Sequence, residues 1–278
     1  KRNRNFNVRQ TDNNAAGVLV TGDMESFDVM AWEDVARELN QAGGEGRGQG
    51  AAQGGESPEW GHNWEAHCGG LGIMALTAST MVQLGTPLLL DRIAAELGAG
   101  TTLQVSGVPL DVVALAGRPV LVLFLCAHCP FVKHIEPELT RLAGDHAGGT
   151  GPDGLQLIGI SSNSTLSHPQ DGPEGLRAQA SACHWTFPYL FDAEQTLARA
   201  FHAACTPDPF LFGPDHRLAY HGQFDASRPG QGEPCDGRDL RAAIAAVVAG
   251  HPVIAEQRPS IGCNIKWHPG REPEWWAT

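Results

Sequence analysis

Only two of the seven cysteines in this 278-residue chain stand close together: Cys126 and Cys129, in "LVLFLCAHCPFVKHIEPEL" (121–139). A gap of two residues suits a dithiol. With the first cysteine at a strand–helix junction and the second in the first helical turn, the sulfurs can reach bonding distance without straining the backbone. Orphan N–H groups and the positive helix end are then expected beside Cys126, lowering its pKa and raising its thiolate fraction at neutral pH. His128, between the two, adds a positive charge or a proton shuttle. Cys126 is expected to attack a substrate disulfide, and Cys129 to resolve the mixed disulfide.

Other chemistries fit the spacing less well. Haem attachment needs a histidine after the second cysteine, where Pro130 stands. A structural zinc site needs a second ligand pair, and the chain has no other CxxC and no HxxxH. Convergence of Cys126, Cys129, His134 and Cys205 on a metal remains open at this level, as does burial of both thiols as inert small hydrophobes.

The elements around the motif read as an α/β fold. "GRPVLVLFLC" (117–126) is a continuous apolar, β-branched run, the signature of a strand buried on both faces. Pro130 then occupies a first-turn position, and Val132, Ile135, Leu139 and Leu142 recur at helical spacing. Upstream, 87–99 reads as a helix and 102–115 as a hairpin turning at Gly107-Val108-Pro109. Downstream follow a buried strand at 155–163, a helix over about 174–184, the short strand "FPYLFD" and the helix "EQTLARAFHA". Residues 208–224 read as a hairpin turning at Gly213-Pro214-Asp215, and 237–251 as an amphipathic helix. Such alternation gives a mixed sheet with helices on both faces, and the dithiol falls at the carboxyl end of a central strand, where open α/β sheets place their sites.

The flanks look different. "QAGGEGRGQGAAQGGESPEWGHN" lacks apolar periodicity, so residues 1–80 are expected to form a largely disordered extension, 85–255 the folded domain and 256–278 an irregular tail. The chain opens on Lys1, and Met74 offers a natural start, an expectation that native peptides from 1–73 would refute. A net charge of −12 argues against a non-specific polyanion binder. No apolar run reaches the length of a membrane span. An odd number of scattered cysteines is no secreted disulfide framework, so a reducing, cytoplasmic setting is expected.

Four stretches together carry a family resemblance: "CAHCPFVKHIEPEL", "FPYLFDAEQTLARAFHAACTPDPFLF", "YHGQFDASRPGQGEP" and "PSIGCNIKWHPG". Through them, residues from about 81 to 270 resemble the thioredoxin-like superfamily, and most closely its peroxiredoxin-like branch, grouped with the alkyl hydroperoxide reductase/thiol-specific antioxidant proteins. The resemblance implies a thioredoxin fold, with Cys126 at the nucleophile position and Cys129 at the resolving position. It also implies that Pro207, in "CTPD", is a cis-proline packed against the dithiol. Thr206, Cys205, His128 and Lys133 are possible auxiliaries. Cys205 is either a third redox sulfur or a packed small hydrophobe, and Lys133 and His134 are expected to face solvent or else tune the thiolate. Asp208 and Arg228 are expected in surface ion pairs, and Cys263 is expected to have no role unless the tail folds back toward the site or Cys263 pairs with another thiol.

Alignment of the peroxiredoxin pattern P-x-x-x-T-x-x-C on Cys129 puts Cys126 where that pattern has threonine. The expected activity is therefore thiol–disulfide oxidoreduction, with thiol peroxidase and a non-catalytic binding protein as alternatives. The partners expected are protein or small-molecule disulfides and a thiol electron donor, with no nucleic acid, membrane, cofactor or metal.

Overall fold

The computed structural model describes residues 7–10, 18–21, 76–146, 154–254 and 256–277. The chain divides into two units, Lys1–Ala75 and Leu76–Thr278. In the first, strands β1 (Asn7–Gln10) and β2 (Val18–Thr21) pair antiparallel. The rest of the expected extension up to residue 75, Met74 included, lies outside the described residues.

The second unit starts at β3 (Leu76–Ala78), earlier than the expected boundary at 85. It continues through α1 (Leu90–Ala99), β4 (Thr102–Gln104), β5 (Val120–Phe124), α2 (Pro130–Asp145), β6 (Gln156–Ser161), α3 (Pro173–Ala182), β7 (Tyr189–Asp192) and α4 (Thr196–Phe201). Then come β8 (Cys205–Thr206), β9 (Asp208–Phe212), β10 (Leu218–His221), α5 (Arg238–Val248) and β11 (Ile261–Asn264). A six-stranded mixed sheet runs β10-β9-β5-β6-β7-β4, flanked by helices, and a small antiparallel sheet runs β3-β11-β8. The first is the thioredoxin-type α/β arrangement.

Strand β5 is central for the reason its sequence suggests. All five of its residues are buried, and it pairs parallel with β6 on one side and antiparallel with β9 on the other. Phe124 packs edge-on against Phe201 and Phe210, with ring centroids 5.6 and 5.8 Å apart. Helix α2 buries Val132, Ile135, Leu139 and Leu142, the four positions its apolar spacing marks. Its Glu138 is also buried and meets Arg241 of α5 at 2.7 Å.

Two regions depart from expectation. Residues 102–115 form no hairpin: β4 pairs antiparallel with β7 at the sheet edge, and a 3-10 turn covers Val113–Leu115. Pro109, which has no N–H to give a ladder, and a bond from the Leu110 N–H to the Gln104 side-chain oxygen at 2.6 Å turn the chain away from a return strand. The 256–278 tail is not irregular, because β11 lies between β3 and β8. The 208–224 hairpin forms as β9 and β10, with a bulge between Leu218 and Tyr220.

Candidate active site

Cys126 and Cys129 follow β5 directly and are fully buried. Helix α2 begins at Pro130, which makes Cys129 its N-cap residue. Each of the two thiols shifts the ionisation of the other. Opposite them runs the segment Thr206-Pro207, whose peptide bond is cis, as the resemblance implies. The Thr206 hydroxyl lies 3.4 Å from Cys126 Sγ, and the neutral Cys129 thiol donates to the Thr206 carbonyl at 3.2 Å.

A buried carboxylate holds the loop between the cysteines. Asp171 Oδ1 accepts the backbone N–H groups of Ala127 at 2.8 Å and His128 at 3.1 Å. Its Oδ2 meets His128 Nδ1 at 2.5 Å and accepts Asn163 Nδ2 at 2.8 Å. Burial opposes ionisation of Asp171, but its bonds to His128, Asn163 and the Ala127 amide prevail and hold the carboxyl below its usual range. The carbonyl of Cys126 is fixed as well: Gln179 Nε2 donates to it at 3.0 Å, and the Tyr189 hydroxyl donates to Gln179 Oε1 at 3.1 Å. Tyr189 crosses from β7 over its register partner Gly159, where a Cβ would stand 2.8 Å from the ring.

This arrangement reverses the expected charge order of the pair. Burial pushes the Cys126 thiol well up, and its bond to Cys129 and the charges of Cys129 and Asp171 add to that. The loop amides that would stabilise a Cys126 thiolate are bound to Asp171 instead. Burial also opposes ionisation of Cys129, but hydrogen bonds from Cys126, Cys263, the Val132 N–H and Thr206 hold its pKa well below the ordinary value. A helix N-terminus stabilises charge on its own cap residue, and that residue is Cys129.

The other expected residues divide. His128 belongs to the site; its ring lies 4.4 Å from that of His168, and its Nε2 is buried without a hydrogen-bond partner. Cys205 is buried with its sulfur toward the carbonyls of Pro207 and Ser260, at 3.7 and 3.9 Å, and burial keeps it protonated. Lys133 points to solvent and pairs with Glu136 at 2.9 Å, so it does not reach the sulfurs. His134 bonds the Ser227 hydroxyl at 2.8 Å and is not part of the cluster. Asp208 is in no surface ion pair: it is fully buried and meets His221 Nε2 at 3.0 Å. Arg228 binds the backbone carbonyls of Asp225 and Ser227 and the side chain of Gln223, which makes it a loop staple.

Asp171, Asn163, Gln179 and Lys266 belong to the site but carry no local signal in the sequence. Lys266 is bound through its backbone: its N–H donates to Asn163 Oδ1 at 2.8 Å and its carbonyl accepts the Ser164 N–H at 2.7 Å. Burial lowers the pKa of its ammonium, while the charges of Cys263, Cys126, Cys129 and Asp171 act to keep it charged. The ammonium itself donates to the Asn264 carbonyl at 3.0 Å and to the Asn264 side-chain oxygen.

Cys126, His128 and Asp171 bring three metal-capable atoms within 4.8 Å of one another, a different set from the one the sequence suggests. Each oxygen of Asp171 already accepts two hydrogen bonds, so its lone pairs serve the loop rather than a cation.

The chain is similar to proteins that share this fold. The model of the AhpC/TSA family matches residues 85–221. A hypothetical protein from Sinorhizobium meliloti 1021 is 39% identical over 70% of this chain and all of its own, with a TM-score of 0.60. An uncharacterized conserved protein from Geobacillus kaustophilus is 36% identical over 72% of this chain and all of its own, with a TM-score of 0.62. No curated protein matches the chain. The chain belongs to the thioredoxin-like, peroxiredoxin-related AhpC/TSA family.

Proposed function

We propose that this protein is a thiol–disulfide oxidoreductase whose Cys126–Cys129 pair cycles between dithiol and disulfide in a reducing, cytoplasmic setting. The observation that carries the reading is that both sulfurs, at the start of α2, lie against Thr206 of the cis Thr206–Pro207 segment, at 3.4 and 3.2 Å. Family membership supports redox use of that pair.

The charge order assigns the steps. When the pair loses one proton, Cys126 keeps the other and the negative charge falls on Cys129, which then gives up its bond to the Thr206 carbonyl. Cys126 attacks a substrate disulfide while Cys129, bonded to it, takes its proton. One substrate sulfur leaves with the electron pair of the broken bond. Cys129 then attacks Cys126 Sγ, its proton passes to the second leaving sulfur, and a Cys126–Cys129 disulfide remains. A disulfide has been reduced to two thiols, and a thiol electron donor restores the dithiol. Two product thiols need two protons, of which the pair supplies one; the other passes from water to the first leaving sulfur by way of His128, whose Nε2 has no hydrogen-bond partner among the described residues.

In Cys129→Ser, incubation with an aromatic disulfide is expected to leave a stable mixed disulfide on Cys126. A mixed disulfide that accumulates only on Cys129, in Cys126→Ser, contradicts the order of attack.

A second reading, thiol peroxidase, is favoured by the lowered pKa of Cys129, the residue on which the peroxiredoxin pattern aligns. That thiolate would attack a peroxide oxygen, release an alcohol or water and become a sulfenic acid. Condensation with Cys126 would then expel water and leave the same disulfide. Peroxide consumption with a trappable sulfenic acid on Cys129 selects this reading; inertness toward peroxide with rapid insulin reduction removes it.

A further inference from the structure

A third thiol stands across Thr206 from the dithiol, on the tail in which the sequence suggests no role. Cys263 lies on β11, is 1% exposed and is the register partner of Thr206 on β8. The Thr206 carbonyl accepts the Cys129 thiol at 3.2 Å, so Cys129 and Cys263 meet on the same residue. Each thiol also shifts the ionisation of the other, Cys129 down and Cys263 up.

The close approach is built into the backbone. A Cβ at Gly262 would stand 2.0 Å from the Thr206 carbonyl oxygen and 3.2 Å from the Pro207 nitrogen. Only glycine lets β11 press this tightly on the cis-proline segment. The Lys266 ammonium, held at 3.0 Å by the Asn264 carbonyl next to Cys263, interacts electrostatically with Cys263, Cys126 and Cys129. Cys129 thus has two thiol neighbours, one in its own loop and one on β11.

We propose that Cys263 is a third redox thiol, which takes the disulfide over from Cys126 and shuttles it between a Cys126–Cys129 and a Cys129–Cys263 bond. The proposal rests on the dithiol reading above and extends it. In the oxidised protein Cys263 Sγ attacks Cys129 Sγ. The Cys126–Cys129 bond breaks, its electron pair leaves on Cys126, and the Cys263 proton moves to Cys126. No net oxidation occurs, and no co-reactant is consumed. The outcome is a free Cys126 thiol, ready for a second substrate, with the oxidising equivalents stored on β11. The thiol donor then reduces a bond that includes the tail cysteine.

The test uses the full chain equilibrated with oxidised glutathione, quenched in acid, alkylated and mapped by mass spectrometry. In the wild type the Cys126–Cys129 bond is expected together with a measurable share of peptide containing Cys129 cross-linked to peptide containing Cys263. In Cys126→Ser, and in Cys126→Ala should the serine disturb the pocket, the cross-link is expected to become the main oxidised form. In Cys263→Ser the cross-link is lost while the Cys126–Cys129 bond remains. Wild type that forms the Cys126–Cys129 bond, with Cys263 free throughout and no cross-link in either Cys126 variant, overturns this proposal alone. Wild type that forms neither bond overturns the dithiol reading along with it.

Discussion

At the scale of single residues, Asp171 adds its charge to what burial and Cys129 do to the Cys126 thiol. It occupies the amides of Ala127 and His128 and sets a negative charge near Cys126. Asparagine there would keep one acceptor for the two amides but turn a donor toward His128 and Asn163. Asp171→Asn is therefore expected to lower the Cys126 pKa, read as faster alkylation at neutral pH, and to cost about 1–3 kcal/mol of stability in denaturant. Because the folded carboxyl titrates below the unfolded one, its stabilisation is complete above about pH 4 and fades as pH falls through the folded value. His168 works over a different window. Burial, then the charges of His128 and Lys266, lower its pKa to about 4. The unfolded chain takes up this proton near pH 6.5 and the folded chain does not, so stability is expected to fall from about pH 6.5 to about 4. Melting temperatures of wild type and His168→Gln across that range check it; the variant should show a flatter profile.

At the scale of elements, β11 holds the site together from outside the domain that sequence alone delimits. Gly262→Ala would push a Cβ into the Thr206 carbonyl. It is expected to cost about 1–3 kcal/mol, as overpacking does, seen as a lower denaturation midpoint at unchanged m-value. The loss of the Cys129–Cys263 contact should accompany it. The sequence makes β5 and α2 plain, because a continuous buried run and a helical period are local patterns that end at the motif itself. It does not reveal β11, since "SIGCNIKW" is short, and its strand character comes from pairing with Thr206 and Leu76–Ala78, far away in the chain. Asp171 is missed for the same reason: 44 residues separate it from Ala127, in a Pro/Gly-rich stretch that reads only as a loop. The expected charge order sets the helix end beside Cys126, with Cys129 already in the first turn. The chain delays the helix to Pro130 and gives the intervening amides to a distant carboxylate.

At the scale of the whole molecule, the six-stranded sheet supplies the rigidity that a buried dithiol requires. Phe124, one residue from Leu125 and the motif, is fully buried among Phe201 and Phe210. Phe124→Ala is expected to cost about 3–5 kcal/mol and to lower the melting temperature of the unit as a whole. Among the described residues no helix is long and apolar enough to cross a membrane. The central claim is that Cys126 and Cys129 exchange two electrons as a pair. A glutathione redox titration of the full chain, followed by acid quench and mass spectrometry of the peptide that holds both residues, tests it most directly. The account predicts a single two-electron transition to an internal Cys126–Cys129 bond, abolished in Cys129→Ser. Thiols that stay free across the whole series, or a transition that Cys129→Ser leaves untouched, would contradict it.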